Sequence, residues 1–169
     1  MKNITFFIQN FSRSAGSERV TSIIANALSN KYNITILSIC GDNSSFYKIN
    51  KNIKLLTLID KNEINNKKYF FKVLHALKKY YSKNKVDLVI DVFASLSIYT
   101  LLLKKKYKYK SITWEHFNFN ANVGLNKIGR RMSAKKAEYI VTLTEKDKTY
   151  YQDALPEMKS KITSIYNPT

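Results

Sequence analysis

Short runs of apolar and β-branched residues alternate along this chain with longer stretches in which apolar residues recur every three to four positions. That alternation restricts the fold more than any other feature. The strand-like runs are residues 4–8, 33–40, 53–59, 86–90, 111–114, 138–143 and 161–166. Between them the 3.6 period predicts helices over 18–30, 66–83, 95–105 and 122–136, and a short one after Thr144 with Asp147 completing its cap. On the first helix Val20, Ile23, Ile24, Ala27 and Leu28 share a face, and Ser17 is the expected N-cap. On the second, Phe70, Val73, Leu74, Leu77 and Tyr81 point inward. Near-continuous apolar strands alternating with helices imply a doubly wound, mainly parallel α/β sheet of Rossmann type, with helices on both faces. The 169 residues make one such domain, with no repeat or linker. The single cysteine, Cys40, excludes an internal disulfide and a multi-cysteine metal site; it reads as a buried thiol in a reducing, cytoplasmic setting. No apolar run approaches the ~20 residues that span a bilayer.

In sheets of this kind ligands bind at the carboxyl ends of the strands. Candidate chemistry therefore lies in the loops after each strand. The first, residues 9–17, runs into a helix N-terminus, an anion site by virtue of free N–H groups and the helix dipole, with Gly16 allowing close approach. It is not a P-loop, because no Gly-Lys-Ser/Thr follows, nor a dinucleotide fingerprint, because Gly16 is the only glycine before Gly41. It reads equally as a plain turn into a helix. The segment Trp114-Glu115-His116-Phe117-Asn118 follows another strand. There His116 can hold a hydroxyl or a phosphate, and Glu115 can orient its ring or sit at the sheet edge. Asp91 ends a third strand and reads either as a hydroxyl-binding or catalytic carboxylate or as a turn residue. His75, inside a Lys-rich helix, reads as structural or solvated. No set of His, Cys, Asp and Glu has metal-ligand spacing, so no metal and no cofactor is expected.

Composition enters through charge. Lys and Arg number 29 against 12 Asp and Glu, a net charge of +17. Lys67, Lys68, Lys72, Lys78 and Lys79 cluster on one helix, interleaved with Phe70, Phe71, Tyr80 and Tyr81. Such a face is either simply solvated or drawn to an anionic surface, at about 1 kcal/mol per basic residue near anionic lipid. Nucleic acid is a weaker expectation, since no helix-turn-helix, RNP or zinc pattern accompanies the charge.

Four segments together resemble the N-terminal half of GT-B fold glycosyltransferases, of the retaining family-4 type that builds capsule, lipopolysaccharide and exopolysaccharide. Ala15-Gly16-Ser17-Glu18-Arg19 is similar to that family's Gly-Gly-x-Glu-Arg loop. Glu115-His116 is similar to its Glu-His pair. Residues 137–145 resemble its Ala-Asp-x-Ile-Val segment, and Ile165-Tyr166-Asn167-Pro168 the Ile-x-Asn-Pro that opens the interdomain hinge. The resemblance implies that Gly16 and Ser17 offer N–H groups to the donor phosphates. It implies that Glu18 and Arg19 start the helix behind them, and that His116 contacts the transferred sugar or leaving group. Glu115, Asn118, Thr144 and Glu145 would line the cleft, and Asn167 and Pro168 would begin the hinge. It further implies a nucleotide-sugar substrate, a glycan or lipid-linked acceptor and a peripheral place at the cytoplasmic membrane face. A donor-binding C-terminal domain would be missing, supplied by a partner chain or by a longer gene product, and the 169 residues alone would be inactive. Ala15 replaces the first glycine of the pair, which reshapes the loop if that position needs φ > 0. A non-catalytic membrane-associated subunit of a split transferase, and a basic nucleic-acid-binding domain, are the alternatives.

Overall fold

The computed structural model describes residues 1–60, 68–121 and 124–168. Its elements in chain order are β1 (Asn3–Ile8), α1 (Gly16–Leu28), β2 (Asn33–Ser38), β3 (Lys54–Thr57), α2 (Tyr69–Lys83), β4 (Leu88–Asp91), α3 (Ala94–Tyr107), β5 (Lys110–Trp114), α4 (Asn126–Lys136), β6 (Tyr139–Thr142), α5 (Glu145–Ala154) and β7 (Lys161–Ser164). The strands form one sheet in the order β3-β2-β1-β4-β5-β6-β7, and every pairing is parallel. This is the expected Rossmann-like α/β architecture. Strand order reverses between β1 and β4, where a binding crevice opens in such sheets.

The central strand shows why a run like Ile4-Thr5-Phe6-Phe7-Ile8 needs cover on both sides. Successive side chains point to opposite faces. Ile4, Phe6 and Ile8 join a core with Val20 and Ala25 of α1. Phe7 joins a second core with Val73 and Leu77 of α2 and with Leu96 and Leu103 of α3. A smaller cluster of Ala134, Ile140 and Tyr151 seats α4 and α5.

Several boundaries differ from the sequence expectation, for physical reasons. Helix α1 begins at Gly16, two residues early, and its N-cap is Ala15, so Ser17 does not cap it. The Ser17 hydroxyl instead donates to Glu18 Oε2 at 2.6 Å. The buried face of α1 is rotated from the apolar one. Glu18, Thr21 and Ser22 are buried, whereas Ala27 is exposed. Ala15 has φ −101°, so its place in the loop makes no demand for glycine. Strand β4 extends through Asp91, which is completely buried and not a turn residue. Cys40 is buried, as read from the sequence. Helix α4 starts at Asn126. The expected starts of α2 and α4 at Asn66 and Asn122, together with Lys67, lie outside the described residues.

Candidate active site

The carboxyl ends of β1, β4, β5 and β6 surround a cleft of about 500 Å3. Its floor and walls come from four segments far apart in sequence. The loop after β1 supplies Gln9, Arg13 and the first residues of α1, Gly16, Ser17 and Glu18. The turn into α3 supplies Phe93, Ser95 and Leu96. The loop after β5 supplies His116 and Phe117, and Leu143 and Asn167 close the far side.

The first loop is held from below. Phe11 is buried and its N–H donates to Ser38 Oγ at 3.1 Å. Asn10 Oδ1 accepts from both the N–H and the hydroxyl of Ser12. Gly41, beside Asn10, has φ +120°, a backbone conformation in which any other residue would be strained, so this crossing calls for glycine. Above it, α1 and α3 both enter the cleft without a side-chain cap. Their first N–H groups and dipole ends are therefore available to an anion. A Cβ at Gly16 would meet nothing within 4 Å, which leaves open space over that backbone. Arg13 adds an exposed cation at the rim.

His116 presents a neutral imidazole. Burial pushes its pKa down to about 4, because a cation is poorly solvated there. The ring lies 4.4 Å from Trp114 and 5.7 Å from Phe93, centroid to centroid. Its Nε2 has no hydrogen-bond partner among the described residues. A neutral ring of this kind suits a hydroxyl better than it suits a phosphate, which narrows the sequence reading. Glu18 brings a buried carboxylate to the same cleft, where it can accept from a second hydroxyl.

The structure thus brings Gly16, Ser17, Glu18, His116 and Asn167 together and leaves other expected residues out. Arg19 is exposed and its side chain does not line the cleft; its N–H continues the helix to Ala15 O at 3.1 Å. Glu115 neither faces the cleft nor orients His116. It is 1% exposed and ion-paired through Oε2 to Arg130 Nε at 2.9 Å. Asn118 shapes its own turn, accepting from Asn120 N–H at 2.9 Å. Thr144 caps α5 by accepting from the Asp147 N–H at 3.0 Å, as read from the sequence, but does not line the cleft. Glu145 is bonded to Ser164 and Lys148, and those hydrogen bonds hold its carboxyl below the ordinary range. Pro168 also lies away from the lining. Sequence reading missed Arg13, Ser95 and the uncapped start of α3. The signal for α3 was the closeness of the strand ending at Asp91 to the helix beginning at Ala94, which forces that helix to start at the sheet edge.

The basic residues around α2 face solvent only in part. Lys68, Lys78 and Lys79 are exposed, Lys72 is half-buried, and His75 is solvated beside them. Phe71 is 69% exposed among these charges. Among the described residues no helix is long and apolar enough to cross a membrane.

No family model matches the chain. A glycosyltransferase of Haemophilus influenzae with no further assignment is 32% identical over 171 residues, covering 99% of this chain and 47% of that protein. The Campylobacter jejuni GalNAc-alpha-(1->4)-GalNAc-alpha-(1->3)-diNAcBac-PP-undecaprenol alpha-1,4-N-acetyl-D-galactosaminyltransferase is 27% identical over 168 residues, covering 94% of this chain and 45% of that one. The chain therefore spans about half the length of the curated relatives it matches. Among solved structures, the lipopolysaccharide outer core galactosyltransferase WaaB superposes with TM-score 0.71 at 18% identity, over 99% of this chain and 46% of WaaB. Anabaena HepE in complex with UDP-glucose gives 0.61 at 9%, over 98% and 44%. The UDP-N-acetylglucosamine 2-epimerase of Rickettsia bellii gives 0.73 at 14%, over 99% and 45%, so the fold alone also serves other chemistry. The chain's sequence relatives are glycosyltransferases, and its fold is that of the N-terminal Rossmann-like domain of GT-B enzymes.

Proposed function

We propose that this domain is the acceptor-side half of a glycosyltransferase that moves a sugar from a nucleotide-sugar to a hydroxyl of a lipid-linked glycan in bacterial surface polysaccharide synthesis. The observation that carries the reading is the cleft itself. Two uncapped helix ends lie in the same cleft as a neutral, unpartnered imidazole and a buried carboxylate. The helix ends and Arg13 suit a phosphate whose negative charge grows as the sugar leaves. His116 and Glu18 suit sugar hydroxyls. The Haemophilus and Campylobacter relatives support transfer, and the activity named for the latter supports a polyprenyl-diphosphate-linked acceptor. The remaining donor contacts would come from a second domain.

In the full-length protein, His116→Ala is expected to lower kcat/KM for transfer by about tenfold, the scale for losing one neutral hydrogen bond to a sugar hydroxyl. The domain should stay folded, because the ring makes no hydrogen bond through Nε2. Transfer at the wild-type rate would remove His116 from the site.

The basic face of α2 supports docking on an anionic membrane surface, with exposed Phe71 as an apolar contact. In low-salt co-sedimentation the chain is expected to bind phosphatidylglycerol-containing vesicles more strongly than pure phosphatidylcholine vesicles. Equal binding to both would exclude this orientation.

A further inference from the structure

His116 is placed by its backbone. Its ring contacts are aromatic, and its Nε2 has no hydrogen-bond partner among the described residues. Its position in the cleft therefore depends on whatever holds residues 115–121. That segment is clamped from outside the cleft by one buried side chain. Arg130, on the first turns of α4, is 4% exposed. Its Nε donates to Glu115 Oε2 at 2.9 Å, and its two terminal nitrogens donate to the carbonyls of Asn118 (3.0 Å), Phe119 and Ala121 (3.4 Å). The guanidinium also lies over the Phe119 ring at 5.1 Å.

Glu115 completes the clamp. Its second oxygen accepts from the Phe117 N–H at 3.1 Å, and Tyr151 donates to Oε2 at 3.1 Å. Asp147 of α5 accepts from the Phe119 N–H at 2.9 Å. Arg130 thus reaches into the 115–121 loop at four points, with Glu115 and Asp147 taking up its inward N–H groups. The preceding residue, Gly129, packs α4 directly on the backbone of Ala94 at the start of α3, the opposite wall of the cleft. Adjacent residues of one helix therefore grip both walls.

We propose that Arg130 is the positioning residue of this site: through its fork of hydrogen bonds to Glu115 and the loop carbonyls it fixes His116 opposite the start of α3. The inference rests on the transfer reading for its functional meaning, but its geometry is independent of it. Lysine would keep the charge and lose the fork, since it offers a single nitrogen where Arg130 uses three.

The test is a histidine titration by NMR on the 169-residue chain, comparing wild type with Arg130→Lys. In the wild type the His116 signal should stay neutral down to about pH 4. In Arg130→Lys its midpoint is expected to rise by about one pH unit or more, because a loosened loop lets water reach the ring. Arg13 and Glu18 are the charged groups lining the cleft with it, and both are unchanged in the variant. The Phe117 and Phe119 amides should exchange at least about tenfold faster, while those of β1 and β4 keep their protection. His75, exposed on α2, is the internal control. An unmoved His116 midpoint in a folded Arg130→Lys chain would overturn the proposal. Should that variant not fold, Tyr151→Phe removes one hydrogen bond from the same carboxylate and no charge; it should shift His116 in the same direction by less, and no shift would count equally against the clamp. None of these readouts needs sugar transfer, so a failed transfer assay would bear on the transfer reading alone.

Discussion

Gly129→Ala is expected to destabilise the domain by about 2 kcal/mol, although alanine is the better helix former. The two effects oppose each other, and their sizes decide the sign. Within a helix the change from Gly to Ala gains about 1 kcal/mol. Here, however, the added Cβ would stand 1.8 Å from the carbonyl oxygen of Ala94 and 2.4 Å from its carbonyl carbon. Both are backbone atoms at the start of α3, so neither can rotate away. Either α4 lifts from α3 or the N-terminal turn of α3 moves into the cleft. Overpacking typically costs about 1–3 kcal/mol, and a 1.8 Å approach to fixed backbone belongs at the upper end of that range, about 3 kcal/mol. The net loss corresponds to a fall of about 5 °C in Tm for a domain of this size. Gly16→Ala is the matching control, because nothing lies within 4 Å of the Cβ it would add. Thermal unfolding of the two variants side by side checks the argument; equal melting temperatures would mean that α3 and α4 do not meet as closely as described.

The same packing shows which parts of the site a sequence can reveal. The strands were legible because β1, β2 and β4 are apolar on both faces, and that pattern survives without knowledge of their neighbours. The loops followed from them, since a parallel sheet puts every strand end at one edge. The rotation of α1 was not legible. The 3.6 period puts the apolar face of α1 on Val20, Ile23, Ile24, Ala27 and Leu28, yet Glu18, Thr21 and Ser22 are buried and Ala27 is exposed. Glu115 was misplaced for a related reason. It adjoins His116 in sequence, but side chains alternate about a strand end, and the partner that draws Glu115 inward, Arg130, is fifteen residues away on another element. The charge of His116 was likewise out of reach, because its neutral state comes from burial against Trp114 and Phe93. Lys78 and Lys79 of α2 are exposed, as a polar position on the 3.6 period implies.

Asp91→Asn is expected to make the domain markedly more stable at pH 8 than the wild type while changing little near pH 4. Asp91 ends β4 inside the layer between the sheet and α3 and is fully buried. Thr100 donates to its Oδ2 at 2.7 Å, but Oδ1 has no partner among the described residues. Burial raises its pKa from 3.8 to about 7, and the hydrogen bond from Thr100 offsets only part of that. The folded chain therefore holds a proton that the unfolded chain releases. Between about pH 4 and pH 7 the folded state binds more protons, so its stability falls as pH rises. The stabilising contribution is complete below the unfolded pKa and is gone above about pH 7. A carboxyl held near 7 instead of 3.8 corresponds to about 4 kcal/mol across that window. Asparagine carries no charge at any of these pH values, so the variant lacks this loss. Urea unfolding at several pH values should show wild type and variant diverging from pH 4 to 8, by an amount on the order of that figure. Parallel profiles would mean that Asp91 stays ionised in the fold, and that water or a cation reaches the carboxylate beneath α3.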